Sequence, residues 1–270
     1  MGALHNGHAS LIQAAVASAR PTVVTVFVNP TQFGVNDDLA KYPRTLDADC
    51  ALAERFGASG LFVPSVDAMY PSGIDAARLA ALDGPIPAAA TQPQLEDAHR
   101  RGHFGGVCQV VSRLFDLTRP SLAFFGEKDY QQLLVIRQMV ARSTRWGSLR
   151  IIGCPTIREH DGLAMSSRNR YLDDTARQQA SVISRALCAA RDALAPLPSP
   201  SVDALQASEE TMRRALADAG FSIDYAVIRD AETLLLATAA SSQWRGLVAA
   251  RLGSTRLIDN LAVWECPQRD

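Results

Sequence analysis

At 270 residues the chain is about two domains long, at roughly 150 residues each, and a chain of this size buries roughly three-quarters of its unfolded surface without disulfide or metal staples. Its 47% hydrophobic and 20% charged residues exclude disordered, collagenous and membrane-spanning classes. A net charge of −1, from 27 Lys+Arg against 28 Asp+Glu, excludes a general grip on a nucleic-acid backbone and leaves room only for a local basic pocket around a small anion.

Up to about residue 155, short apolar runs alternate with amphipathic stretches. The spacing predicts a helix over 9–19 and then a strand over 22–28 (TVVTVFV), a continuous β-branched run of the kind covered on both faces. A helix over 47–56 and a strand over 59–63 follow. The Pro- and Ala-rich stretch 85–93 reads as an exposed loop. Helices over 106–117 and 130–142 flank a strand over 122–125, and a further strand covers 149–152. Strand and helix in alternation predict βαβ crossovers and a parallel, Rossmann-like α/β sheet, whose ligands gather at the carboxyl ends of the strands.

Beyond about residue 160 the pattern changes. A helix is predicted over 178–194, with Ile183, Leu187, Ala190 and Leu194 on one face. Pro196, Pro198 and Pro200 mark a surface linker, and a second helix over 205–219 stops at Gly220. Strand-like runs over 223–229, 247–251 and 256–263 complete a smaller α+β domain. The expected division is therefore 1–156 and 157–270, with the second part acting as a lid.

The five cysteines are scattered, form no CxxC pair and lie beside no His at zinc spacing, as thiols in a reducing cytosol do. No apolar run approaches the ~20 residues that span a bilayer. The first twenty residues lack a basic n-region and carry two histidines, so a cytoplasmic protein is expected.

Four segments carry chemistry. His5-Asn6-Gly7-His8 opens the first helix, where i and i+3 share a face and unpaired N–H groups favour an anion. Gly126-Glu127-Lys128-Asp129 follows a strand at the sheet's ligand end; Lys128 suits phosphate and Asp129 suits ribose hydroxyls. Met165-Ser166-Ser167-Arg168 offers two hydroxyls and a guanidinium on a loop that could fold over a triphosphate. Asn29 and Gln32, at the end of the 22–28 run, carry amides that both donate and accept, and Gln132 could meet Gln32 across a cleft. Taken singly, each of these also reads as an ordinary surface, turn or cap residue.

Together the segments MGALHNGH, FVNPTQFGVNDDLAKYPRT, RRGHFGGVCQVVSRLF, FFGEKDYQQLLVIRQMV, PTIREHDGLAMSSRNRYL and GSTRLIDN resemble the pantothenate synthetases, or pantoate–β-alanine ligases, in that family's order and over nearly the whole chain. The resemblance extends to nucleotidylyltransferase-like enzymes and class I aminoacyl-tRNA synthetases, which share the HxGH motif. It implies adenylation of pantoate by Mg-ATP, then attack of β-alanine on the acyl adenylate, giving pantothenate and AMP. It further implies that Met1, Gly2, Ala3, Leu4, His5 and His8 contact ATP, with His8 as proton donor. Lys128 would hold phosphate, with Gly126, Glu127 and Asp129 on the nucleotide. Met165, Ser166, Ser167 and Arg168 would close over the phosphates, and Ile157 would border the adenine. Gln32 and Gln132 would grip pantoate with Asn29 near them, and Gln32 would also touch β-alanine. Magnesium is expected to arrive with ATP, with Asp47 or Asp49 as no more than candidate protein ligands, and the family suggests a homodimer.

Two departures stand out. The family motif is preceded by a strand that this chain lacks, so the reading expects a start placed too late or a truncated chain. Arg101 stands where the family often has Pro. A plain nucleotidylyltransferase explains HNGH and MSSR but not the two amides Gln32 and Gln132. An ATP-binding module without turnover is the third reading.

Overall fold

The structure is a computed structural model, described over residues 2–33, 39–40, 42–238 and 240–266. Two compact units divide the chain after Pro155.

The first unit opens with α1 (Asn6–Val16), whose buried Ala9 and Ile12 form its inner face. β1 (Val23–Thr25) pairs in parallel with β2 (Gly60–Phe62), joined through α2 (Leu46–Arg55), with Val24 opposite Leu61. Three short helices follow: α3 (Val66–Met69), α4 (Ile74–Asp83) and α5 (Glu96–His99). The long α6 (His103–Thr118) leads into β3 (Leu122–Gly126), and α7 (Tyr130–Ala141) leads into β4 (Arg150–Cys154). β3 and β4 pair in parallel from Leu122–Arg150 to Gly126–Cys154. The parallel α/β architecture is the one expected. Among the described residues it forms two separate strand pairs rather than one continuous sheet.

The core of this unit is the apolar stripe of α6, where Val107, Val110, Val111 and Phe115 meet Met69, Ile136 and Leu149. Two glycines let α6 approach its neighbours. A Cβ on Gly105 would lie 1.7 Å from the Ala81 carbonyl oxygen, and one on Gly106 would lie 2.6 Å from the Thr31 carbonyl. The sequence Gly-Gly is thus what seats α4 and the 3₁₀ turn Pro30–Gln32 against the helix.

Two expectations need correction here. The run 22–28 forms only the strand Val23–Thr25, with Val23 52% exposed. After Val26 N–H reaches the Phe62 carbonyl at 2.9 Å, the chain leaves the ladder to enter the cap at Asn29. A β-branched run thus favours such a strand but does not supply its partners. Helix α4 was not foreseen. The stretch 85–93 is not an exposed loop: Ala89 and Ala90 are 2% and 4% exposed in a 3₁₀ turn. Gln138 accepts from Ala89 N–H and Gln131 donates to the Ala89 carbonyl, which satisfies backbone that burial would otherwise orphan.

The second unit comprises α8 (Asp174–Ala180), α9 (Val182–Leu194) and α10 (Val202–Asp218) with an antiparallel sheet of β5 (Ser222–Asp230), β6 (Gln243–Leu252) and β7 (Thr255–Glu265), in that order. The single helix expected over 178–194 is interrupted at Ser181, whose hydroxyl donates back to the Gln178 carbonyl at 2.9 Å. Past the prolines, Ser201 accepts from Ala204 N–H and caps α10. Ile183, Leu187 and Leu194 of α9 and Met212 and Leu216 of α10 pack against Ile228, Val248 and Val263 of the sheet. Each such side chain contributes about 1.5–3 kcal/mol on burial.

Candidate functional site

The first helix is capped by imidazole. His5 is the N-cap residue of α1, in extended conformation, and its Nδ1 accepts from Gly7 N–H at 3.1 Å. In return His5 N–H donates to His8 Nδ1 at 3.2 Å. This is a reciprocal capping box of the kind Ser/Thr and Glu build, made instead from two histidines. The expectation of two residues on one helical face is therefore corrected: His5 stands just outside the helix, and the rings meet at 4.1 Å between centroids.

Both Nδ1 atoms accept, so the proton of each neutral ring sits on Nε2. Burial and the neighbouring His5 push His8 down to about 3, so it is neutral throughout the physiological range. The Lys128 charge acts on His8 in the same direction. Lys128 lies in the 3₁₀ turn Glu127–Asp129 directly after Gly126, at the carboxyl end of β3. Folding thus brings together two segments that lie 120 residues apart in the sequence.

Ahead of the histidines, Gly2 and Ala3 are buried, and Ala3 holds a left-handed backbone at φ 54. Asp49 of α2 accepts from Ala3 N–H and Leu4 N–H. Both its oxygens are therefore engaged with backbone, while Asp47 is exposed. Met1 lies outside the described residues.

The amides form a second cluster in the same unit. Asn29 is 3% exposed, and its oxygen accepts from Thr31 N–H, Thr31 Oγ1 and the Tyr70 hydroxyl. Its nitrogen donates to Gln32 Oε1 and to the Gly106 carbonyl, each at 3.1 Å. Asn29 is thus saturated and acts as scaffold, while Gln32 is oriented by it. The Gln32 carbonyl accepts from His103 Nδ1 at 3.0 Å, and Arg100 donates to His103 Nε2 at 3.1 Å. Burial and then the Arg100 charge push His103 down to about 4. Gln132 is half-buried on α7, and no described hydrogen bond joins it to Gln32. Its neighbour Gln131 is the structural one of the pair, bonding Glu96 N–H, the Ala89 carbonyl and Asp97.

In the second unit, Ile157 and Met165 face each other across a short hairpin, with Met165 N–H on the Ile157 carbonyl at 2.9 Å. Gly162 makes its bend at φ +89. Ser166 caps the 3₁₀ turn Ser167–Tyr171 by accepting from Arg168 N–H. Arg158 anchors the hairpin through paired bonds to Asp259 at 2.6 and 3.0 Å and a bond to the Asn260 carbonyl. Sequence reasoning assigned no role to His103, Arg100, Arg158 or Asp259. All four lie in segments that carried the resemblance, but their importance comes from burial and pairing, which no spacing reveals.

A parallel α/β unit with a histidine-capped helix beside a strand-end lysine, followed by an antiparallel unit, defines a two-unit α/β enzyme. The family model for pantoate-β-alanine ligase matches residues 1–262. The chain belongs to the pantoate-β-alanine ligase family. It is 46% identical over 261 residues to the pantothenate synthetase of Stenotrophomonas maltophilia, covering 97% of this chain and 88% of that one. It is 47% identical over 262 residues to that of Xanthomonas euvesicatoria pv. vesicatoria, covering 97% and 89%. Among solved structures, pantothenate synthetase from Thermus thermophilus superposes with a TM-score of 0.85 at 41% identity, over 98% of this chain and 91% of that one. The Francisella tularensis pantoate-β-alanine ligase, complexed with β-γ ATP and β-alanine, superposes with a TM-score of 0.74 at 33% identity, over 97% and 87%.

Proposed function

We propose that this chain condenses pantoate with β-alanine in two steps driven by ATP. In the first, a pantoate carboxylate oxygen attacks the α-phosphorus of ATP and pyrophosphate leaves. In the second, the β-alanine amine attacks the acyl carbon of the adenylate, the acyl–oxygen bond breaks, and pantothenate and AMP are released. A carboxylate is a poor electrophile until its oxygen leaves as part of a phosphate, and adenylation supplies that leaving group.

The carrying observation is the helix N-terminus closed by two imidazoles with the Lys128 charge in electrostatic reach, in a chain of this family. We assign His8 Nε2–H as the donor to phosphate oxygen, assisted by His5, with Lys128 offsetting phosphate charge. An incoming triphosphate raises the His8 pKa and so favours the doubly protonated imidazolium, whose Nε2–H donates to a phosphate oxygen more strongly than that of the neutral ring. We assign the backbone of Gly2, Ala3 and Leu4, with Gly126, Glu127 and Asp129, to the rest of the nucleotide. Ile157 and Met165 are assigned to the adenine side, and Ser166, Ser167 and Arg168 to the phosphates. Gln32 and Gln132 are assigned to pantoate, Gln32 also to β-alanine, and Asn29 to holding Gln32.

Magnesium is assigned to the substrate, arriving on the ATP phosphates as Mg-ATP. No described helix is long and apolar enough to cross a membrane. A cytoplasmic homodimer completes the reading, and light scattering on the purified protein tests the assembly.

Pantoate-dependent exchange between ATP and labelled pyrophosphate, without β-alanine, tests the first step directly. The expected result is exchange that Lys128→Ala and His8→Ala each reduce ~10²–10³-fold with the fold intact. Parent-like exchange in either variant would overturn these assignments.

A further inference from the structure

We propose that Asp49 is the positioning residue for the histidine cap: its carboxylate fixes the backbone turn that aims His5 and His8 at the nucleotide. The proposal rests on the function assigned above. Asp49 is 1% exposed, in the first turn of α2. Its Oδ2 accepts from Ala3 N–H at 3.0 Å, and its Oδ1 accepts from Leu4 N–H at 2.7 Å and from Thr45 Oγ1 at 3.1 Å. The Thr45 bond stays at the start of α2, while the other two reach a segment 45 to 46 residues away in sequence.

That segment needs fixing. Ala3 sits at φ 54, a left-handed conformation that a residue with a Cβ adopts only when its surroundings hold it there. Leu4 is bonded directly to His5, whose backbone N–H closes the capping box on His8. A buried carboxylate accepting two backbone N–H groups makes charge-assisted bonds, short and directional. A neutral amide in its place would turn one nitrogen, a donor, toward an N–H that needs an acceptor. The connection therefore runs from a buried carboxylate on α2 to the direction of two imidazoles at the start of α1, and Asp49 itself touches no substrate.

The test uses the full chain carrying Asp49→Asn or Asp49→Glu, the latter keeping the charge but displacing the oxygens. Thr45→Val serves as a control that leaves both backbone bonds in place. Pantoate-dependent ATP–pyrophosphate exchange gives kcat and KM separately, and NMR of ¹⁵N-labelled histidine follows the His8 ring. Both Asp49 variants are expected to lose ~10²-fold in kcat, as a misplacement near 1 Å does, with KM for pantoate within twofold. Thr45→Val is expected to stay within twofold of the parent in both.

In the parent, His8 stays neutral to below pH 5, held by burial, His5 and Lys128. In the Asp49 variants the opened cap lets His8 titrate near its ordinary value. Loss of a nearby negative charge alone would move it the opposite way, so the sign separates positioning from charge. A folded Asp49→Asn or Asp49→Glu chain with parent kcat and parent His8 titration overturns the proposal, as does a loss expressed equally in every KM with His8 unchanged. If Asp49→Asn fails to fold, Asp49→Glu decides. If the parent itself shows no exchange, the assigned function fails, and the His8 titration alone decides the role of Asp49.

Discussion

Gly106→Ala tests how the fold places the pantoate amide. The added Cβ would lie 2.6 Å from both the carbonyl carbon and oxygen of Thr31 and 2.7 Å from Gln32 N. All three are backbone atoms, so no side chain can rotate away. To restore ordinary contact the 3₁₀ turn and α6 must part by roughly 1 Å, weakening the Asn29 bond to the Gly106 carbonyl and carrying Gln32 with it. Overpacking of this kind costs about 1–3 kcal/mol, which in a chain of this size lowers Tm by roughly 2–4 °C per kcal/mol. A shift near 1 Å in a substrate-holding group costs ~10²-fold in rate, so kcat/KM for pantoate should fall by that order while ATP binding holds. Gly60→Ala is the control, since a Cβ there meets nothing within 4 Å. Differential scanning calorimetry and steady-state kinetics on the two variants decide the matter. Parent-like melting and kcat/KM in Gly106→Ala would show that the close approach of α6 does not place Gln32.

The folded chain should lose stability in mild acid. His8 and His103 bind protons at about 3 and about 4 when folded but near 6.5 when unfolded, so the unfolded chain takes up protons first. Their contribution is complete above about pH 6.5 and is lost as pH falls below it, by about 2–4 kcal/mol between pH 7 and pH 5. Urea unfolding at the two pH values measures this, His103→Gln should flatten the slope, and equal stability at both would contradict it. In the second unit, Asp259→Ala strands Arg158 beside a vacated partner site and should cost about 3 kcal/mol, near the low end for a broken buried pair because Arg158 is partly exposed. Denaturation followed by Trp244 and Trp264 fluorescence checks it, and a loss under about 1 kcal/mol would remove the clamp from the account.

Much of the fold was legible because hydrophobic period and turn chemistry agree locally. The α6 stripe, the apolar 122–125 run and the three late strands all announce themselves. What failed depended on partners distant in sequence. The run 22–28 satisfies every local rule for a covered strand, yet its length is set by β2, which pairs only three of its residues. The stretch 85–93 looks like a loop by composition, but Gln131 and Gln138 tie its backbone down. The site divides in the same way. His5, His8, Lys128 and Gln32 stand in motifs that chemistry recognises. Asn29 looks like a ligand residue until its five hydrogen bonds are counted, and Asp49 looks like a metal candidate until both oxygens are found on the Ala3–Leu4 turn. His103 is one histidine among five by sequence and becomes informative only when burial and Arg100 fix its neutral form.

The coupled chemistry is open to a single direct measurement. The purified chain is incubated with ATP, Mg²⁺, pantoate and β-alanine, and AMP, pyrophosphate and pantothenate are followed by mass spectrometry. All three are expected in equal amounts, with no pantothenate when either ATP or pantoate is withheld. Pyrophosphate released without pantothenate, or no turnover of ATP at all, would contradict the coupled chemistry.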